Sequence, residues 1–159
     1  MSDYATTHSL ETKGARAKDS AEILGFSDTA VAYAILRLSF GANILLHGVS
    51  RLLAGHAAFL AYVTHYFEKT PIMPQSLLPI FATAQPWVET GLGLLLLLGL
   101  WTRFSLIVGA LVMTALVIGS NLAQDWTVAG LQLIYCFIYY YLLAHREQNV
   151  ISLDSFWSR

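Results

Sequence analysis

Four apolar stretches, residues 30–53, 78–100, 104–122 and 127–144, reach or approach the roughly 20 residues that a helix needs to cross a hydrocarbon core. Only Trp101, Thr102 and Arg103 separate the second from the third, and only Ala123 to Trp126 the third from the fourth, so these neighbours must be antiparallel hairpins. The expected fold is therefore all-α, an integral membrane antiparallel four-helix bundle. The composition agrees. Of 159 residues 56% are hydrophobic and 12% charged, and that charged share is about half the usual proportion for a soluble domain. Net charge is −1 with the basic residues scattered, which excludes the electrostatic footprint that nucleic acid requires.

The connection between the first two spans is longer. Residues 55–70 place Phe59, Tyr62, Val63, Tyr66 and Phe67 at helical spacing, with His56, His65, Glu68 and Lys69 interleaved and Pro71 as the stop. Too many polar residues are present for a span, so an interfacial amphipathic helix is expected between helices 1 and 2. It serves either as a packed cap on the bundle or as a lid over a lateral ligand opening. The first 28 residues are polar and contain no apolar core followed by a small-residue cleavage site, so the first span is expected to be an uncleaved anchor. Residues 1–20 have too few apolar side chains to bury and are expected to be flexible. The organisation is then a polar tail (1–28), a four-helix membrane domain (29–145) and a carboxy-terminal tail (146–159).

Flanking charges predict the orientation. Lys13, Arg16, Lys18, Arg103, Arg146 and Arg159 lie on one side and Arg51 and Lys69 on the other, which places both termini in the cytoplasm. Membrane lipid is the implied surrounding partner. The single cysteine, Cys136, sits within an apolar run, so no disulfide, CxxC pair or thiolate zinc site can form within the chain, and the five histidines lack ligand spacing. No metal is expected.

Polar residues inside the spans carry the chemistry, since a charge at the bilayer centre costs roughly 2.5–3.5 kcal/mol on insertion scales and must be compensated. Arg37, Asn43, His47 and Arg51 share one arc of the first helix, and Gln85 and Glu89 share a face of the second around Pro86. Counted from the helix ends at about 1.5 Å per residue, Arg37 lies roughly 10 Å deep and Glu89 roughly 16 Å, which predicts an intramembrane ion pair, structural or mechanistic. Asn43, His47, Arg51, Gln85, Asn121 and Gln132 collect in the outer half and could line one pocket.

These residues resemble a known family. Leu36, Arg37, Gly41, His47, Gly48, Arg51 and Leu52, followed by Pro86, Glu89, Gly91 and Gly93 and then Leu98, Gly99, Leu100, Trp101, Thr102 and Arg103, look like the motifs of the DoxX/DoxD-like membrane proteins. That family includes the membrane subunit of thiosulfate:quinone oxidoreductases. The resemblance spans residues 30–144, with Arg51 where family members often carry lysine. It implies a multi-pass subunit of a bacterial or archaeal cytoplasmic membrane, joined to partner subunits in a quinone-linked redox complex. Such a chain would be catalytic only with its partner; no cofactor is bound covalently, and quinone is the candidate ligand. Arg51 and His47 would then face the substrate or the quinone oxygen. The competing expectation is a non-catalytic structural or assembly subunit of a larger membrane complex.

Overall fold

The computed structural model describes residues 22–23 and 25–157. The expected flexible segment, residues 1–20, lies outside the described residues. A two-residue antiparallel ribbon, β1 (Glu22–Ile23) and β2 (Phe26–Ser27), leads into α1 (Asp28–Ala54). Then follow α2 (His56–Tyr66), α3 (Leu77–Leu98), α4 (Thr102–Leu122) and α5 (Trp126–Ala144). A 3-10 turn (Arg146–Gln148) and a short helix α6 (Leu153–Trp157) complete the described chain. Helices α1, α3, α4 and α5 are long and apolar enough to cross a membrane. The chain is an all-α multi-pass membrane protein.

Local chemistry explains the helix ends. Ser27 caps α1, its Oγ accepting from Ala30 N at 3.3 Å, and Asp125 caps α5, its Oδ1 accepting from Val128 N at 3.0 Å. Helix α3 closes at Gly99, whose φ of 62° is left-handed. There Leu100 N donates to Leu95 O and Gly99 N to Leu96 O, the paired bonds of a Schellman turn. Trp101 follows with φ 47°, an uncommon conformation for a bulky residue. Asp154 of α6 holds that turn by accepting from Trp101 N and Thr102 N, each at 2.7 Å.

Lipid supplies no hydrophobic force between helices, so close backbone approach must do the packing. Helix α1 packs chiefly on α3, and α4 chiefly on α5. The α1–α3 seam is tight because glycine sits at its contact points. A Cβ on Gly48 would lie 2.5 Å from Thr90 N, one on Gly41 would lie 2.9 Å from Leu97 N, and one on Gly93 would strike the backbone of Leu45. These contacts fix the antiparallel register. Thr29 Oγ1 donates to Gln148 Oε1 at 3.1 Å, so both ends of the described chain meet at one end of the bundle, the terminal end.

Two apolar clusters fill the interior. Tyr33, Phe40, Leu96, Leu106, Tyr139 and Leu142 form the one nearer the terminal end, with Phe40 edge-on to Tyr139 at 4.7 Å between centroids. At the opposite, loop end, Phe59, Val63 and Phe67 of the α2 segment pack on Leu78 and Ala82 of α3. Those three side chains recur every four residues, so α2 buries one narrow stripe and leaves Tyr62 outward. Tyr66 ties α2 to the α4–α5 turn by donating to Asp125 Oδ2 at 3.2 Å.

Candidate functional site

Beneath α2, the last turn of α1 and the first half of α3 enclose a cavity of about 340 Å³. Arg51, Leu52, His56, Phe59, Ala82, Thr83, Pro86 and Trp87 line it. Its size falls within the roughly 300–1,000 Å³ of small-molecule sites. Arg51, His56 and Thr83 are its polar wall residues and the others are apolar or aromatic; Trp87 is largely exposed on the outer face of α3, so the cavity opens sideways toward lipid.

The polar groups enter from three elements. Arg51 Nη1 forms an ion pair with Glu89 Oε2, and Gln85 Nε2 donates to Glu89 Oε1 at 2.9 Å, so both carboxylate oxygens are used. The Arg51 Cζ stands 5.1 Å from the centroid of the Phe59 ring, a cation–π contact that fixes the guanidinium from its other side. Glu89 is nearly buried, whereas the Arg51 side chain keeps 29% of its surface exposed. Its guanidinium carries five N–H donors, and the Glu89 contact uses one nitrogen, which leaves donors toward the cavity. On the opposite wall His56 Nε2 lies 3.1 Å from Thr83 Oγ1. The Thr83 hydroxyl donates to Pro79 O at 2.8 Å, so with that single hydrogen spent the imidazole Nε2 is the donor of the pair and Nδ1 is left as an acceptor. Pro86, set within α3, removes one backbone donor beside the cavity.

The expected pairing of Arg37 with Glu89 does not form. Arg37 Nη1 donates to Leu96 O and, at 3.1 Å, to Leu97 O, and Nη2 donates to Ile151 O at 2.8 Å. Arg37 therefore caps the carboxy-terminal end of α3, where the helix dipole favours a cation. The reason is register. With Gly41 opposite Leu97 and Gly48 opposite Thr90, Glu89 stands level with Val49, about 18 Å along α1 from Arg37 at roughly 1.5 Å per residue. Arg51 is the basic residue at the depth of Glu89.

The six residues expected to line one pocket separate. Arg51 lines the cavity and Gln85 supports it through Glu89. Asn43 turns to α5, where Tyr135 Oη donates to its Oδ1 at 3.0 Å. His47 is exposed on α1. Asn121 is exposed and returns its amide to Val117 O of its own helix at 2.8 Å. Gln132 of α5 lies outside the cavity wall, its Oε1 buried with no hydrogen-bond partner among the described residues. Of the eight lining residues only Arg51 was expected in a pocket, and Thr83 and Trp87 are two of those that sequence reasoning passed over. Thr83 and Trp87 are four apart on α3, so a polar-aromatic pair one turn apart beside the proline was the available signal. Among the described residues no cluster of three or more His, Cys, Asp or Glu could hold a metal ion.

The sequence model of the DoxX family matches residues 32–122, which runs from α1 through α4 and includes every residue of the cavity. The chain belongs to the DoxX family. The match ends before α5, so the matched unit of this DoxX protein is the α1–α3 pair with its cavity, α2 and α4. Neither curated proteins nor solved structures gave a match.

Proposed function

We propose that this DoxX protein is the membrane subunit of a quinone-linked redox complex and that the cavity under α2 receives the quinone head group. The observation that carries the reading is Arg51. Its guanidinium is braced by Glu89 and Phe59 and presents remaining donors to a cavity with aromatic walls that opens toward the bilayer, where quinones dissolve. A flat carbonyl-bearing ring suits Phe59 and Trp87 as walls and Arg51 as donor.

Bound quinone supplies a two-electron, two-proton acceptor, with the electrons delivered from a partner subunit. The chain's own residues bind and orient it. Arg51 would donate to a quinone carbonyl oxygen, with Leu52, Pro86 and Phe59 packed beside it as the apolar part of the wall. Thr83 holds His56 by its Nε2–H and so orients the imidazole at the cavity wall. Glu89 keeps Arg51 in place.

The partner subunit has a surface to occupy. Only 17% of the apolar window of α5 is buried within the chain, against 39% for α1, and Leu131, Ile134, Phe137 and Tyr140 project outward. The same surface would serve an assembly subunit with no catalytic share. Quinone retention separates the two readings. Wild-type protein purified in mild detergent should retain extractable quinone, and Thr83→Val and Trp87→Ala should each retain about tenfold less at unchanged thermal stability. Absence of quinone from wild type after supplementation, or equal retention by both variants, would leave assembly as the function.

A further inference from the structure

A second groove, of about 420 Å³, lies at the terminal end, far from the cavity under α2. Trp101, Thr102, Arg103, Phe104, Ile107 and Asp154 line it, so it is built from the α3–α4 turn, the first two turns of α4 and the start of α6. Its charges are unequal in what they have left to offer. Asp154 spends both oxygens on the backbone amides of Trp101 and Thr102, and its own N–H donates to Gly99 O at 2.9 Å. Arg103 is exposed and makes no hydrogen bond or ion pair among the described residues.

The groove continues into the lipid-facing surface. Phe104, Ile107, Leu111 and Ile118 are all exposed and fall within about 60° of one another around α4, so they form one stripe running into the membrane from the groove. Arg103 stands one turn above Ile107, at the head of that stripe. Trp101 flanks it, and Leu153, Phe156 and Trp157 of α6 add three exposed apolar side chains on one face of a single turn, the placement of an interfacial aromatic belt.

We propose that this groove is a binding site for an anionic phospholipid of the leaflet at the terminal end. The Arg103 guanidinium takes the phosphate, Trp101 covers the glycerol region and an acyl chain follows Phe104, Ile107 and Leu111. The preference for net negative charge follows from Arg103, a planar cation suited to bidentate phosphate contact that makes no ion pair among the described residues, while Asp154 turns its carboxylate to the Trp101 and Thr102 amides. The groove is separate from the cavity under α2, since no residue lines both.

Native mass spectrometry of the full chain, released from micelles containing phosphatidylglycerol or phosphatidylcholine, tests it. Wild type should retain phosphatidylglycerol preferentially. Arg103→Gln should lower that retention roughly fivefold, the weight of one basic residue at an anionic surface, and Arg103→Lys should restore part of it. Ile107→Gln leaves the charge but spoils the acyl track, and should weaken retention of both lipids. Equal retention of the two lipids by wild type, undiminished phosphatidylglycerol on Arg103→Gln or Ile107→Gln, or displacement of the lipid by millimolar inorganic phosphate would each overturn the assignment.

Discussion

Removing either member of the Arg51–Glu89 pair should be among the costliest single changes in the membrane part. Glu89 is almost wholly buried and carries a charge that Arg51 and Gln85 satisfy between them, so Arg51→Met leaves a carboxylate with one amide partner in a low-dielectric interior. Stranding one partner of a buried pair costs roughly 3–5 kcal/mol. The Arg51 side chain keeps 29% exposure and Phe59 shares its charge, so the loss belongs at the lower end, about 3 kcal/mol. For a chain of this size that corresponds to a fall in Tm of roughly 6–12 °C. Glu89→Gln should cost a similar amount, because the guanidinium then keeps only the aromatic contact. The combined variant removes both charges and leaves a neutral amide at position 89 that can still bond Gln85, so it should recover much of the loss, with a coupling energy of roughly 2 kcal/mol or more.

The same cycle run on Arg37 and Glu89 supplies the control. At about 18 Å separation along the helix the two should behave additively, within about 0.5 kcal/mol. Thermal unfolding of each set of variants in one detergent measures both cycles. Additivity at Arg51 and Glu89, or coupling above about 0.5 kcal/mol at Arg37 and Glu89, would refute the register on which the site is built.

The tight seam makes Gly93→Ala destabilising, since its Cβ would strike the Leu45 backbone; overpacking of this kind costs roughly 1–3 kcal/mol, whereas Gly91→Ala, with nothing within 4 Å, should be neutral in the same melts. We propose that the terminal end faces the cytoplasm, so a cysteine at Glu147 should react with an impermeant reagent only after permeabilisation, while one at Gln75 should react in intact cells; the reverse pattern would invert the orientation. Burial raises the pKa of Tyr66, and the neighbouring Asp125 adds to the effect. The folded state thus holds that proton more tightly than the unfolded one, so stability should fall as pH rises past the ordinary phenol value of about 10, and Tyr66→Phe should flatten that alkaline loss in pH-dependent melts.

The spans, the loop helix and the family motifs were legible because each is a local property. A helix that crosses lipid must be apolar over its whole length, and residues 30–53 state this without reference to any neighbour. The α2 stripe of Phe59, Val63 and Phe67 is equally local. Register was not legible by the same means, because sliding one apolar helix past another by two turns leaves the hydropathy of both unchanged. Counting from the apparent ends therefore set Arg37 level with Glu89. Helix α1 in fact continues past the end of α3 at the terminal end, where Arg37 meets the carbonyls of Leu96 and Leu97. The glycines held the missing constraint. Gly41 and Gly48 are seven apart on one face of α1, and Gly93 stands opposite Leu45 between them, so the three glycines mark the points of closest approach that set the register.

Depth alone also grouped residues that azimuth separates. Asn43, His47, Arg51, Gln85, Asn121 and Gln132 all lie toward the loop half, yet a helix turns about 100° per residue, and level neighbours can face opposite ways. Arg51 and Glu89 meet because both point into the α1–α3 seam; Asn43 points to Tyr135 across the looser contact with α5, and Asn121 points outward and satisfies itself on Val117 O. Self-satisfaction of that kind is open to an Asn in lipid but not to a carboxylate, which has no donor to return to its own helix. Among intramembrane polar residues the ionised ones thus carry the firmer spatial information: an isolated Glu89 requires a donor on another turn or another helix, and the search for that donor leads to Arg51 and from Arg51 to the cavity it faces.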